Sequence, residues 1–363
     1  MSLFKEVLKF CRSHWTSLPY PTHKFTGQTI IVTGSNVGMG LEAARHCMSD
    51  SISISLLFPF LFLSCHHSGL LPLQKIDFLL VVRLEAAKVI LAVRSVSKGE
   101  AAKSSIESSE NRPGTVEVWE LDLCSYASVK AFATRAQSLP RLDAVVENAG
   151  MYAFDFQMAE GDEATITVNV VSQFLLGLSL LPKLRETSVR EHKECVLTFT
   201  GSFVHFLTKF PERTEKHVFE ALAKPEGARM WDRYNVSKMI ELLCMRELAS
   251  DITSSNKQGN VVVSLINPGS VRTDIMRHAG YFYTLYVRAV KLILSRSAEE
   301  GGRTLVFAAQ GGSETHGAYL DDCNVGYVSP FVDSDEGAET QRKVWGELKE
   351  KLERIQPGIT KDI

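Results

Sequence analysis

A phenol and an ammonium stand four positions apart in Tyr234-Asn235-Val236-Ser237-Lys238, which puts them on one face of a helix. A tyrosine hydroxyl titrates near pH 10, so acid/base work near neutrality requires moving its pKa by about 3, roughly 4 kcal/mol. A neighbouring lysine acts in that direction by favouring the phenolate. Tyr-x-x-x-Lys also occurs as an ordinary surface pair, so the surroundings decide. Upstream, Thr200-Gly201-Ser202 follows a strand-like run and offers a hydroxyl. A second constellation is Thr33-Gly34-Ser35-Asn36-Val37-Gly38-Met39-Gly40, between the β-branched Thr29-Ile30-Ile31-Val32 and the helix-prone Leu41-Glu42-Ala43-Ala44-Arg45. Strand, glycine turn and helix start together admit a pyrophosphate to backbone N–H groups at the positive helix end, so a dinucleotide is the expected ligand.

The elements that must hold these residues follow from periodicity. Expected are strand 89–93, helix 97–108, strand 116–121, helix 126–137 and strand 144–146, a βαβαβ alternation that predicts a parallel sheet with helices on both faces. A long apolar helix over 169–184, strand 195–200, a helix after Tyr234 and strand 261–265 extend it to one doubly wound α/β domain of about seven strands. A final helix over 336–355 has Trp345, Leu348, Leu352 and Ile355 on its inner face. Residues 1–24 read as an N-terminal extension, 25–330 as the domain and 331–363 as a C-terminal helix and tail.

One stretch breaks the pattern. Residues 48–82 are apolar with neither strand nor helix period, and their best apolar run, 56–63, contains Pro59 and is far short of a membrane span. A ligand lid, a membrane-touching loop, and an insertion foreign to the fold, such as a translated intron, are the readings it admits. Removing 48–82 cuts the separation of Gly34 from Arg94 from 60 to 25, near the spacing expected between a glycine turn and the end of the second strand. That favours the insertion. Cys65, His66 and His67 within it lack a second ligand cluster at metal spacing, so no metal is expected.

Composition narrows the partners. Forty Lys plus Arg against 42 Asp plus Glu leave a net charge of -2, which gives no field for nucleic acid. The seven cysteines are scattered without a C-x-x-C pair, as in a reducing compartment with free thiols. A cytoplasmic location is the reading adopted, and the Asn235-Val236-Ser237 sequon inside the chemical motif is discounted.

With Asp122-Leu123, Asn148-Ala149-Gly150, Asn169 and Pro268-Gly269 with Val271 and Thr273 added, the chain resembles the short-chain dehydrogenase/reductase family over about 25–328. The resemblance implies a Rossmann-type fold. It implies Tyr234 as catalytic acid/base, Lys238 on the nicotinamide ribose, Ser202 on the substrate oxygen, and Asn169 positioning a relay water. It also implies that Gly34 to Gly40, Asp122, Asn148, Ala149, Gly150, Pro268, Gly269, Val271 and Thr273 line the cofactor. Plain structural readings stay beside these: Ser202 as a helix cap, Asn169 as a polar helix start, Asp122 as a turn former. Arg94, with Lys98 one turn on, stands where an acid would select NAD, so NADP(H) is the expected cofactor. Glu147 departs from the family's Asn-Asn-Ala-Gly and is expected to touch no chemical role.

The implied reaction interconverts a secondary alcohol and a ketone or aldehyde on a lipophilic small molecule, in the manner of fungal reductases that tailor secondary metabolites. Trp231 in 203–233 and Tyr281, Phe282, Tyr283 and Tyr286 in 281–293 fall where the family builds substrate walls. A membrane contact and a homodimer are the other associations considered. A non-catalytic dinucleotide-binding scaffold is the alternative. Sugar-nucleotide epimerase or dehydratase chemistry fits less well, because its glycine spacing differs from Gly34, Gly38 and Gly40.

Overall fold

The computed structural model describes residues 17–48, 54–55, 79–80, 84–272 and 295–363. In chain order its framework is β1 (Thr29–Thr33), α1 (Gly38–Met48), β2 (Lys88–Val93), α2 (Val96–Glu110), β3 (Val116–Glu120), α3 (Tyr126–Gln137), β4 (Ala144–Glu147), α4 (Ser172–Glu191), β5 (Cys195–Thr200), α5 (Met230–Ser254), β6 (Val261–Asn267), α6 (Ala298–Ala309), β7 (Tyr319–Asp321), β8 (Asn324–Val325) and α7 (Asp335–Ile355). Strand β1 is β-branched throughout and buried along its whole length, as a central parallel strand must be. It pairs in parallel with β2 on one side and β4 on the other, Ile31 lying opposite both Ile90 and Val145. The sheet order is β3-β2-β1-β4-β5-β6-β7-β8. The expected parallel sheet is present, and β8 adds a short antiparallel edge. Strand order reverses between β1 and β4, which opens a crevice at their carboxyl ends.

Alternate residues feed two cores. Ile30, Val32, Val146 and Val262 pack with Ala43 and Ala44 of α1, Ile106 of α2 and Leu305 of α6. Ile31, Val145, Leu197 and Val263 pack on the opposite face with Val129 of α3, Phe174 of α4, Leu243 of α5 and Trp345 of α7. The run Ala164–Glu191 is long and apolar enough to cross a membrane, but its apolar window is 94% buried in this second core. Phe174 there stacks on Phe199 at 4.8 Å.

Three of the differences from expectation matter most. Helix α5 begins at Met230, so Tyr234 sits inside it and not before it. Helix α4 is preceded by a π-helical turn, Thr167–Val171, which contains Asn169. Met48, placed by pattern in the foreign stretch, ends α1 and is fully buried. The Cys47 carbonyl accepts a hydrogen bond from Ala86 N at 3.0 Å, so the chain meets itself across 49–83. Within that stretch Ile54–Ser55 pairs antiparallel with Leu79–Leu80. Pro59, Cys65, His66 and His67 lie outside the described residues, as do Tyr281, Phe282, Tyr283 and Tyr286. The five described cysteines, Cys47, Cys124, Cys195, Cys244 and Cys323, are free thiols.

Candidate functional site

The glycine turn is built at the β1–β4 crevice. Gly34 and Gly38 have φ of +64° and +61°, a region that disfavours side chains. A Cβ on Gly40 would lie 2.5 Å from Asn148 Nδ2 and 2.7 Å from the Gly34 carbonyl oxygen. The two strand ends are locked together: Thr33 Oγ1 accepts from the backbone N–H of Asn148 at 2.9 Å and of Ala149 at 2.8 Å, and Asn148 Nδ2 donates to the Thr33 carbonyl at 2.9 Å. Ser35 is buried and donates to the Val32 carbonyl at 2.8 Å, while Asn36 and Val37 reach solvent. Helix α1 starts at Gly38, and its first N–H groups have no partner within the helix. A cradle so tight that one methyl group would fill it, at a positive helix end, fits a dinucleotide pyrophosphate.

The remaining cofactor candidates surround that cradle. Met39 and Val271 meet at Gly301, where a Cβ would stand 3.2 Å from Met39 Cβ and 2.9 Å from a Val271 methyl. Arg94 and Lys98 are exposed just beyond β2. Asp122 accepts from Cys124 N at 2.9 Å, the turn-forming role read from the sequence. Burial raises the Cys124 thiol, Asp122 raises it further and Arg94 opposes, so both charges stand around it. Gly150 is exposed beside the crevice, and a Cβ there would lie 3.5 Å from Asn169 Oδ1. Gly269 has φ of +77° after Pro268, and Thr273 lies outside the described residues.

The four residues singled out for chemistry come together between β5, α5 and the π-helical turn. The Ser202 side chain lies near enough to the Tyr234 hydroxyl to lower its pKa. Ser202 also caps a 3-10 turn, accepting from Val204 N at 3.3 Å. Lys238 Nζ stands 6.0 Å from the Tyr234 ring centre and donates to the Thr200 carbonyl at 2.7 Å. Asn169 exchanges hydrogen bonds with both backbone groups of Met151 at 2.8 and 2.9 Å and donates to Ser237 Oγ at 3.0 Å. A π-turn at such a residue is a frequent mark of function. The expected downward pull of Lys238 on Tyr234 is present but does not win. Burial raises the phenol's pKa, Lys238 and Ser202 pull it down, and Glu241 pushes it up again, leaving it above the usual tyrosine value.

Four contributors escaped the sequence reading. Asn267, at the end of β6, accepts from Phe203 N and Gly269 N, both at 3.1 Å, and donates to Asp321 at 2.9 Å. It thus clasps the Ser202 and Pro268 turns to each other. Tyr152 packs against Tyr234 with ring centres 4.9 Å apart. Glu241 accepts from Lys238 Nζ at 2.8 Å and is fully buried. Glu147 is also fully buried, and Glu241 helps raise its pKa. Asn267 carried no spacing signal, whereas the departure of Glu147 from the family pattern was visible. A surface groove of about 580 Å³ lined by Arg246, His316, Tyr327 and Asp333 contains none of these residues.

The chain is similar to known short-chain dehydrogenases in sequence and to solved structures in fold. The family model described as short chain dehydrogenase matches residues 81–202. The short chain dehydrogenase/reductase dmxR8 of Cryptosporiopsis sp. is 39% identical over 350 residues, covering 95% of this chain and 96% of that protein. Among solved structures, a protein from Mycobacterium paratuberculosis has a TM-score of 0.61 at 21% identity, over 92% of this chain and 98% of its own. A short chain dehydrogenase from Shigella flexneri complexed with NADP has a TM-score of 0.53 at 21% identity, over 83% of this chain and 99% of its own.

Proposed function

This chain belongs to the short-chain dehydrogenase/reductase family, and from that premise we propose that it is an NADP(H)-dependent reductase of a ketone or aldehyde on a lipophilic small molecule. The observation that carries the reading is the gathering of Ser202, Lys238 and Asn169 around Tyr234, with Lys238 Nζ 6.0 Å from the ring centre and Asn169 bound to Ser237, whose hydroxyl donates to the Tyr234 carbonyl. NADPH held at Gly34 to Gly40 supplies the hydride. The protein's residues supply the rest. With Ser202 next to the Tyr234 hydroxyl, the two side chains can both address a carbonyl oxygen that gains negative charge during reduction. Tyr234 donates its proton to that oxygen, and its raised pKa keeps it protonated at neutral pH. Lys238 is anchored by the Thr200 carbonyl and lies within a turn of the phenol, where it stabilises the phenolate left after transfer. Asn169 fixes the Met151 backbone and the Ser237 side chain around this centre.

Arg94 favours the cofactor carrying the extra phosphate, because a guanidinium pairs with phosphate in two-point geometry. Tyr152 and Phe154, with ring centres 4.8 Å apart, and Phe203 and Phe206, at 5.1 Å, supply apolar surface near Tyr234 and Ser202. That surface supports a bulky apolar substrate, as in the tailoring of secondary metabolites. The test follows NADPH and NADH consumption with a panel of lipophilic ketones and aldehydes. The reading expects turnover with NADPH and, in Arg94→Ala, a KM for NADPH raised by about tenfold or more with NADH little changed. Equal use of both cofactors by the wild type contradicts the NADP assignment.

A further inference from the structure

Behind Lys238 lies a buried acidic pair that the reaction as described does not use. Glu241, one turn along α5, accepts the Lys238 ammonium at 2.8 Å through one oxygen, and its other oxygen has no hydrogen-bond partner. Glu147, at the end of β4, has no hydrogen-bond partner on either oxygen. Both are wholly inaccessible to solvent. Glu147 faces α4 where Gly177 leaves room: a Cβ on Gly177 would stand 3.6 Å from Glu147 Oε1. Asn169, Gln173 and Gly177 follow at four-residue spacing, and Gln173 Nε2 donates to the Ala149 carbonyl at 2.7 Å. The charged and titratable groups around this seam are Lys238, Glu241, Tyr234 and the buried Cys244 thiol from α5, Glu147 from β4 and Tyr152 from the loop after β4. The π-turn, α4 and β5 present only neutral side chains there, among them Asn169, Gln173 and Phe199.

Charge balance then dictates the protonation. One ammonium cannot neutralise two buried carboxylates, and an uncompensated buried charge costs several kcal/mol. The pair therefore retains one proton. Glu241 has the ammonium as partner and Glu147 has none, so the proton resides on Glu147. We propose that Glu241 and Glu147 are positioning residues of the reduction: the Glu241 carboxylate offsets the Lys238 charge behind Tyr234, while protonated Glu147 adds no second negative charge, so the phenol stays the proton donor. Burial raises both acids, Glu147 well above the carboxylate range with nothing to oppose it, and Glu241 only to about 7, because the Lys238 ammonium pulls it back down.

The inference rests on Tyr234 being the proton donor, and its test does not require turnover. Phenolate absorbance is titrated in wild type, Glu241→Gln, Glu241→Asp and Glu147→Gln, each against the same protein carrying Tyr234→Phe, so that the difference reports Tyr234 alone. Glu241→Gln removes a buried negative charge and lowers the Tyr234 titration by about one to two pH units, the scale of a unit charge about 6–12 Å away at an effective dielectric of about 20. Glu147→Gln, which replaces a neutral acid by a neutral amide, leaves it where it is, and Glu241→Asp keeps it near the wild-type position. The alkaline limb of kcat/KM for ketone reduction moves with the titration. A Tyr234 titration unmoved by Glu241→Gln overturns the proposal, as does one moved equally by Glu147→Gln. Absence of NADPH-linked reduction in a wild type whose Tyr234 still titrates as described overturns the proposed function instead.

Discussion

Gly40→Ala isolates the steric demand of the cofactor cradle, because it adds one methyl group to a helical residue without a positive φ. The backbone itself gains from the change, since alanine is favoured over glycine in a helix by about 1 kcal/mol. The loss comes from contact. The new carbon would stand 2.5 Å from Asn148 Nδ2 and 2.7 Å from the Gly34 carbonyl oxygen. Neither can retreat freely, since Asn148 Nδ2 is bound to the Thr33 carbonyl at 2.9 Å and Gly34 N donates to the Ala92 carbonyl at 2.8 Å. Relief must widen the turn between β1 and α1, and with two contacts this short the cost is about 2–3 kcal/mol, the upper part of the overpacking range. The net effect is about 1–2 kcal/mol, a roughly 5- to 30-fold weaker hold on NADPH. Fluorescence titration with NADPH reads it directly, with thermal unfolding measured alongside. Gly346→Ala on α7, where a Cβ meets nothing within 4 Å, is the control and raises Tm. If Gly40→Ala binds NADPH as tightly as the wild type with Tm unchanged, the cradle argument is wrong.

Two further outcomes follow from the same structure. His205 is buried between the Ser202 carbonyl, 2.8 Å from Nδ1, and Ser329 N, which donates to Nε2 at 3.3 Å, and burial holds its pKa down to about 4. Because the unfolded chain takes up that proton first, the stabilisation is full above about pH 6.5 and fades as pH falls towards 4. Denaturant unfolding should show the wild type losing about 3 kcal/mol more than His205→Gln across that window, and parallel pH slopes contradict it. Deleting 49–83, with Met48 joined to Leu84 by a short Gly/Ser linker, should leave Tm and NADPH binding unchanged, because Cys47 and Ala86 are already hydrogen-bonded across the gap. A deletion that abolishes binding shows that the segment belongs to the domain.

Much of the framework was legible because its signals are local and repeated. Helix 126–137 and strand 195–200 were placed to the residue, each being a periodic or continuous apolar run with clear ends. Tyr234 and Lys238 announced themselves by spacing, and the glycine turn by its strand and helix. What stayed hidden depends on tertiary placement. Met230–Asp232 gave no strong start signal, Arg229 making no side-chain cap, so α5 was expected to begin too late. Glu241, three residues after a lysine, reads in sequence as a solvated helix pair. Only the packing of α5 against the sheet turns it into a buried counter-ion. Asn267 acts through two loops that meet only after β5 and β6 pair. The π-turn at Asn169 leaves no mark in hydrophobic period.

The central claim is that Tyr234 gives up the proton while the glycine cradle holds the cofactor independently of it. Tyr234→Phe removes one hydroxyl and keeps the ring that packs on Tyr152. Measured on one preparation, kcat for NADPH-dependent ketone reduction should fall by about 100-fold or more, the range of a lost general acid, with NADPH affinity and Tm close to wild type. Turnover at the wild-type rate in Tyr234→Phe contradicts the account.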